Sequence, residues 1–233
     1  MSPDDRLHVL ERRARVGELG AGIGHVVRNV LTAVLGFAQV AEQRADDPAE
    51  VARLLAVIGR ETGRAIEILE SFLSFGRLAR SQAAVDVNLL VASAAQLVRH
   101  TFRLAQVEVV VELDPAAGAV LGDAGTLRQV LLNLAFNAAQ AMPDGGSVRL
   151  TTRAEVDAVA IVVADDGAGI PRELRDQIFN AFFTTRRGGT GLGLSVSAAI
   201  VAEHGGALAL EPSDRGATFA VRLPRVAGGE IGR

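Results

Sequence analysis

The sequence predicts two parts in series, a helical hairpin followed by an α+β sandwich, and three observations predict it. Early in the chain, apolar residues recur at three- and four-residue steps, the spacing of a helix with one buried stripe. Later the pattern changes to short β-branched runs interleaved with two helical stretches. Several of the joints between those runs are too short to hold a crossover helix, so the sheet is mixed and the helices lie on one face.

The two helices of the hairpin come first. Leu19, Ile23, Val26, Val30, Val34 and Phe37 form one stripe, and Val51, Leu54, Leu55, Ile58, Ala65, Ile66, Leu69, Phe72 and Leu73 form the second. Arg44 to Glu50 connects them: Asp47 suits the N-cap, Pro48 the first helical position, and Glu50 can close a capping box. A connection this short makes the pair antiparallel. Two helices bury little by themselves, so stripes this apolar predict a partner hairpin and a homodimeric four-helix bundle. Packing of the hairpin on its own C-terminal part is the alternative.

A connector over Arg80 to Val85 separates the parts, giving domains 1–80 and 81–233. Val107 to Leu113 reads as a strand, Gly125 to Met142 as a helix, and Ser147 to Thr152 and Val159 to Ala164 as strands. Gly191 to His204 reads as a helix, followed by strands over Ala207 to Glu211 and Ala217 to Leu223.

Composition bounds the function. The 233 residues carry a net charge of −3 and 49% hydrophobic residues, values of a folded globular chain and not of one that binds nucleic acid through bulk positive charge. Cysteine is absent, which removes disulfides and thiolate metal sites and fits a reducing compartment. The most apolar run, Val30 to Ala41, is broken by Thr32 and Gln39 and is too short to span a bilayer. Asp4 and Asp5 stand where a signal peptide carries positive charge, so the expectation is a cytoplasmic chain without membrane contact.

Four elements of the second part carry chemistry. Asn133 and Asn137 are one turn apart on an otherwise apolar helix, so they share a face, and an amide oxygen is a hard ligand suited to Mg²⁺. Asp165-Asp166-Gly167-Ala168-Gly169 follows a strand. It reads either as a plain tight turn or as a turn whose glycines admit a flat ligand while one carboxylate accepts from an exocyclic amine. Phe179 to Arg186 comes third. Last is Gly188 to Ser195, a glycine-rich loop opening a helix, where free N–H groups and the helix dipole favour phosphate. Four scattered histidines make a metal site a poor reading, and His204, before Gly205-Gly206, reads as a helix-ending residue.

In this order and spacing the elements resemble the transmitter region of bacterial two-component sensor histidine kinases, in the GHKL ATPase superfamily. The resemblance covers nearly the whole chain. The N box matches Asn133 and Asn137, the G1 box Asp165 to Gly169, the F box Phe179 to Phe183, and the G2 box Gly189 to Gly193. It implies that the chain binds ATP and Mg²⁺, with Asn137 on the metal and Asp165 on the adenine amino group. Gly167, Gly169, Phe179 and Phe183 would line the site. Thr184 to Thr190 would form a short lid holding Thr185, Arg186, Gly189 and Thr190, and Gly191, Leu192 and Gly193 would bring backbone to the phosphates. Arg186 stands where lysine is usual, keeping charge but changing donor geometry. The short lid and the run Asn137 to Met142 are similar to the nitrogen-regulatory branch.

His25 in Gly22-Ile23-Gly24-His25-Val26-Val27-Arg28-Asn29 fits the H box. At 100° per residue it points about 130° away from the apolar stripe, with Asn29 one turn later on nearly the same side. By resemblance His25 accepts the γ-phosphoryl group, which passes to an aspartate of a response regulator, and Asn29 positions water for dephosphorylating that partner. Val26 departs from the family, which has an acidic residue there to take the imidazole proton; Val30 replaces the usual proline. That departure motivates the alternative, a degenerate, ATP-binding docking module without catalysis. A serine kinase of the anti-sigma type fits poorly, because such proteins lack the hairpin.

Overall fold

The structure, a computed structural model, describes residues 30–77, 83–186 and 189–226. His25, Val26 and Asn29 lie outside the described residues. The rest falls into a helical unit and an α/β unit.

Residues 30–43 are helical (α1), and α2 runs Pro48–Arg77. Asp47 caps α2 as predicted, its Oδ1 accepting from the N–H groups of Ala49 and Glu50, both at 3.1 Å. The capping box does not form. Glu50 pairs with Arg53 one turn on, at 2.5 Å, and the Asp47 N–H donates to the Arg44 carbonyl at 2.9 Å within the tight turn. Both groups that the box would join have nearer partners. Val30, Leu54 and Ala65 are buried, whereas Leu31, Leu35 and Leu55 stay 52%, 60% and 57% exposed.

The α/β unit contains β1 (Ala83–Asp86), α3 (Val87–Leu104), β2 (Val107–Glu112), β3 (Ala119–Gly122) and α4 (Ala124–Gln140). There follow β4 (Gly146–Ala154), β5 (Ala158–Asp165), α5 (Gly193–Glu203), β6 (Ala207–Glu211) and β7 (Thr218–Pro224). β2, β4, β5, β7 and β6 lie side by side in that order, with β2–β4 parallel and the other pairs antiparallel, so the sheet is mixed as predicted. The predicted connector is corrected at its end, because Ala83 to Val85 belong to β1, which pairs antiparallel with β3 in a separate two-stranded ribbon. β1, α3 and β3 add to the elements predicted from sequence.

Alternation decides which sheet face is covered. Val148, Leu150, Ile161, Val163, Phe219, Val221 and Leu223 share one side by register and are buried. Their neighbours on the other side include Arg149, paired with Glu112, and Arg222, paired with Glu155 and Glu211. α3, α4 and α5 contribute buried stripes, among them Leu90, Val91, Val98, Leu127, Leu131, Leu134, Ile200 and Val201. Phe102 of α3 meets Phe136 of α4 edge to face at 5.4 Å. The start of α3 is tied to the sheet by polar groups: Thr152 Oγ1 donates to Asn88 Oδ1 at 2.8 Å and accepts the Asp114 N–H at 2.8 Å. Asp114 in turn accepts the N–H groups of Ala116 and Ala154. The Ala154 and Ala116 hydrogen bonds, helped by the Arg225 charge, hold its carboxyl below the usual aspartate range.

Candidate functional site

The candidate site gathers around the C-terminal half of α4. Asn133 and Asn137 both face α5. Asn133 Nδ2 donates to Ser197 Oγ at 3.3 Å, and the Asn137 amide lies 3.9 Å from where a Cβ on Gly193 would stand. Around them Leu131, Leu134, Ala135 and Ala138 are buried, while Phe136 is 41% exposed. Asn133 thus meets the middle of α5, and Asn137 lies beside its start.

That start differs from the other helix starts. Asp47, Asp86 and Asp123 cap α2, α3 and α4 through side-chain oxygens. α5 begins at Gly193 behind Leu192, with no side-chain cap. Its leading N–H groups are what an anionic ligand would find. Gly191 (φ +66°) sets up this approach, because a Cβ there would lie 2.4 Å from the Phe182 carbonyl carbon. Phe182 donates its N–H to the Gly191 carbonyl at 2.9 Å and takes a left-handed φ of 67° itself. Leu192 anchors the loop, being 1% exposed.

Between these two clipped positions the chain makes the loop Thr184 to Thr190. Thr184 Oγ1 accepts the Arg186 N–H at 3.1 Å, and the Gly189 N–H donates to the Arg186 carbonyl at 3.1 Å. Thr185 and Arg186 are exposed, Gly189 and Thr190 half-buried. Phe179 is half-buried and meets Phe219 edge-on at 6.4 Å; Phe183 is also half-buried.

The acidic turn follows β5 and touches the C-terminal end of α4. Asp165, at the end of β5, is 8% exposed, and its Oδ1 accepts the N–H groups of Gly167 at 3.0 Å and Ala217 at 3.1 Å. Asp166 is used differently: its Oδ1 accepts the Ser147 N–H at 2.9 Å, and Arg215 lies 3.8 Å from its Oδ2. Of the two carboxylates, Asp165 is the one held rigidly on the helix side of the sheet. Gly167 touches α4 directly, since a Cβ there would lie 2.7 Å from the Ala141 carbonyl oxygen. Gly169 (φ +71°) packs on Gly216, whose own Cβ would fall 1.9 Å from the Asp165 carbonyl oxygen. Gly216, Ala217 and Ser197 thus belong to the site's framework and were missed in the sequence. Their signals were weak, one glycine in a turn before a strand and one serine in an apolar helix. Among the described residues no cluster of three or more His, Asp or Glu side chains could hold a metal.

Covered sheet, paired asparagines, a rigid carboxylate turn and an uncapped glycine-led helix define an ATP-binding domain of the GHKL type. Residues 122–227 match the family described as Histidine kinase-, DNA gyrase B-, and HSP90-like ATPase, and residues 15–81 match the His Kinase A (phospho-acceptor) domain. The histidine-protein kinase AtoS of Escherichia coli (strain K12) is 38% identical over 222 residues, 94% of this chain and 36% of AtoS. Sporulation kinase E of Bacillus subtilis (strain 168) is 33% identical over 226 residues, 94% of this chain and 29% of that protein. The solved catalytic domain of histidine kinase ThkA is 32% identical with a TM-score of 0.58, covering 62% of this chain and 96% of that one. ThkA in complex with the response regulator TrrA aligns with a TM-score of 0.76 at 28% identity, covering 95% of this chain and 66% of that one. The chain belongs to the two-component sensor histidine kinases and corresponds to their transmitter region. It spans less than half the length of relatives such as AtoS. No helix among the described residues is long and apolar enough to cross a membrane.

Proposed function

We propose that the chain is an ATP-dependent protein histidine kinase that phosphorylates His25 and passes the phosphoryl group to an aspartate of a response regulator. Function divides between 1–80, the dimerising phospho-acceptor hairpin, and 81–233, the catalytic domain. The observation that carries the reading is the glycine-led start of α5, without a side-chain cap, beside the Asn137 amide. Asp165 recognises the adenine amino group, which explains why two backbone N–H groups orient a nearly buried carboxylate. Gly167, Gly169, Phe179 and Phe183 line the base, and Thr185, Arg186, Gly189 and Thr190 cover the phosphates. Gly191, Leu192 and Gly193 present backbone N–H groups to them.

Asn137 would hold Mg²⁺ through its side-chain oxygen, a hard donor of the kind this ion takes. Bound there, the ion would neutralise charge on the phosphates during transfer. The His25 Nε2 lone pair attacks the γ-phosphorus, the bond to the bridging oxygen breaks, and ADP leaves. The Nδ1 proton goes to solvent, because Val26 has no acceptor where relatives have a carboxylate. Loss of such a base typically costs about 10²- to 10⁴-fold, so transfer is slow but present. Asn29 positions water when the same site dephosphorylates the regulator. The exposed leucines of the hairpin support a homodimer, and ATP chemistry of this kind belongs to the cytoplasm.

Incubation with γ-labelled ATP tests the proposal. Label that is acid-labile and base-stable, absent in His25→Gln and Asn137→Asp and faster in Val26→Glu, is the expected result. Label persisting in His25→Gln overturns the assignment of His25. Nucleotide binding without any incorporation, even in Val26→Glu, favours the non-catalytic docking module.

A further inference from the structure

The end of α5 makes a contact that its role as a helix terminator does not require. His204, Gly205 and Gly206 complete a Schellman motif: the Gly205 N–H donates to the Ala202 carbonyl at 3.0 Å and the Gly206 N–H to the Val201 carbonyl at 2.9 Å. Gly205 takes the left-handed φ of +70° this needs. The motif closes the helix with backbone and leaves the imidazole available for something else.

That side chain bridges two helices. His204 Nδ1 lies 2.8 Å from the Ile200 carbonyl oxygen, and Nε2 accepts the Asp123 N–H at 3.1 Å. A carbonyl at one nitrogen and an N–H at the other permit only one arrangement, the neutral ring with its proton on Nδ1. Asp123 is the N-cap of α4. In a capping box its N–H would be taken by a Glu or Gln three residues later, but that position is Thr126. His204 therefore completes the cap of α4 from the far end of α5. Space is kept for it, since a Cβ on Gly122 would lie 2.4 Å from His204 Cδ2.

The contact is one of three that run along the antiparallel pair. His204 meets Asp123, Ser197 meets Asn133, and Gly193 faces Asn137. The middle bond, at 3.3 Å, is long, and the last is an ordinary van der Waals approach. Apolar side chains of both helices, among them Leu131, Leu134, Ile200 and Val201, are buried in the same core. We propose that His204 is a positioning residue for the nucleotide site: it fixes the register of α4 against α5 and so holds Asn137 opposite the phosphate-binding turn. This rests on the reading of Asn137 and Gly193 as the phosphate side of that site.

The test measures the affinity of the full chain for the ATP analogue AMP-PNP, with Mg²⁺ and with Mg²⁺ chelated, alongside thermal stability. His204→Asn keeps a donor for Ile200 but cannot reach Asp123, whereas the Oε1 of His204→Gln can. The expected result is that His204→Asn loses about tenfold of the Mg²⁺-dependent affinity, the scale on which groups supporting a metal ligand act. Gly122→Ala, which displaces the ring, does the same, and His204→Gln restores binding to near the wild-type value. If His204→Asn and His204→Gln both bind as wild type while Asn137→Ala loses the Mg²⁺-dependent part, the positioning role is overturned and the site reading stands. Equal losses of stability and affinity in His204→Asn and His204→Gln also overturn it, leaving His204 a helix terminator. If Asn137→Ala keeps full Mg²⁺-dependent binding, the site reading falls and the positioning role falls with it.

Discussion

Glycine means opposite things in the two units. Gly36 and Gly59 lie within the helices of the hairpin, and a Cβ added at either would meet nothing within 4 Å. In the α/β unit, Gly216, Gly206 and Gly191 would bring a Cβ to 1.9, 2.2 and 2.4 Å of backbone atoms. Both units expose leucines, Leu31, Leu35 and Leu55 in the hairpin and Leu89, Leu97 and Leu104 on α3, but the α/β unit also buries a core of Leu127, Leu131, Leu150, Ile161 and Leu223 against its sheet. One unit is closed by its own chain, with glycine wherever backbone must touch backbone. The other exposes leucines, and its Gly36 and Gly59 stand in open space within helices.

The comparison can be broken most severely at Gly216. Gly216→Ala places a methyl group on the Asp165 carbonyl at a left-handed φ of +66°. The conformation costs about 1–2 kcal/mol and the overpacking about 1–3 kcal/mol more. Urea unfolding should show the loss, and AMP-PNP binding should fall with it because Asp165 is displaced. A variant as stable as wild type would mean that the turn relaxes freely. Next comes the open surface. Leu35→Glu should shift the hairpin toward monomer, since a leucine buried in an interface is worth about 1.5–3 kcal/mol. Sedimentation at micromolar concentration reads this, and an unchanged dimer would place Leu35 outside the interface.

Smaller still, and of opposite sign, Gly59→Ala should stabilise the protein by about 0.5–1 kcal/mol, because alanine loses less backbone entropy in a helix than glycine. A drop in melting temperature would instead reveal a close neighbour in the dimer. The last effect is lost in acid. The folded carboxyl of Asp114 titrates below its unfolded value, so it favours the fold above the unfolded pKa, and that contribution disappears as pH falls through the folded pKa. Asp114→Asn should be less stable than wild type at neutral pH, and the gap should narrow as pH drops below the usual aspartate range. A gap independent of pH would show that shape, not charge, holds the loop.

Much was legible beforehand because it rests on local rules. The Asp47 cap, the asparagine pair and the glycine-led helix each follow from neighbours within a turn or two. What was not legible has physical reasons. α3 is apolar on more than its buried side, with Leu89 70%, Leu97 59% and Leu104 73% exposed, so its stripe is blurred. β1 and β3 are four residues each, too short to show a clear alternation, and their pairing partners lie far along the chain.

The sequence by itself determined the order of the two parts, the mixed sheet and the spacing of the four elements in the second part. Those depend on composition, period and spacing along the chain. Only the tertiary structure set the surroundings of the two adjacent carboxylates apart, because Gly167 and Ala217 offer their N–H groups to Asp165 while Ser147 and Arg215 engage Asp166. It also turned His204 from a terminator into a link to Asp123, 81 residues away, a contact that exists only once α4 and α5 pack side by side.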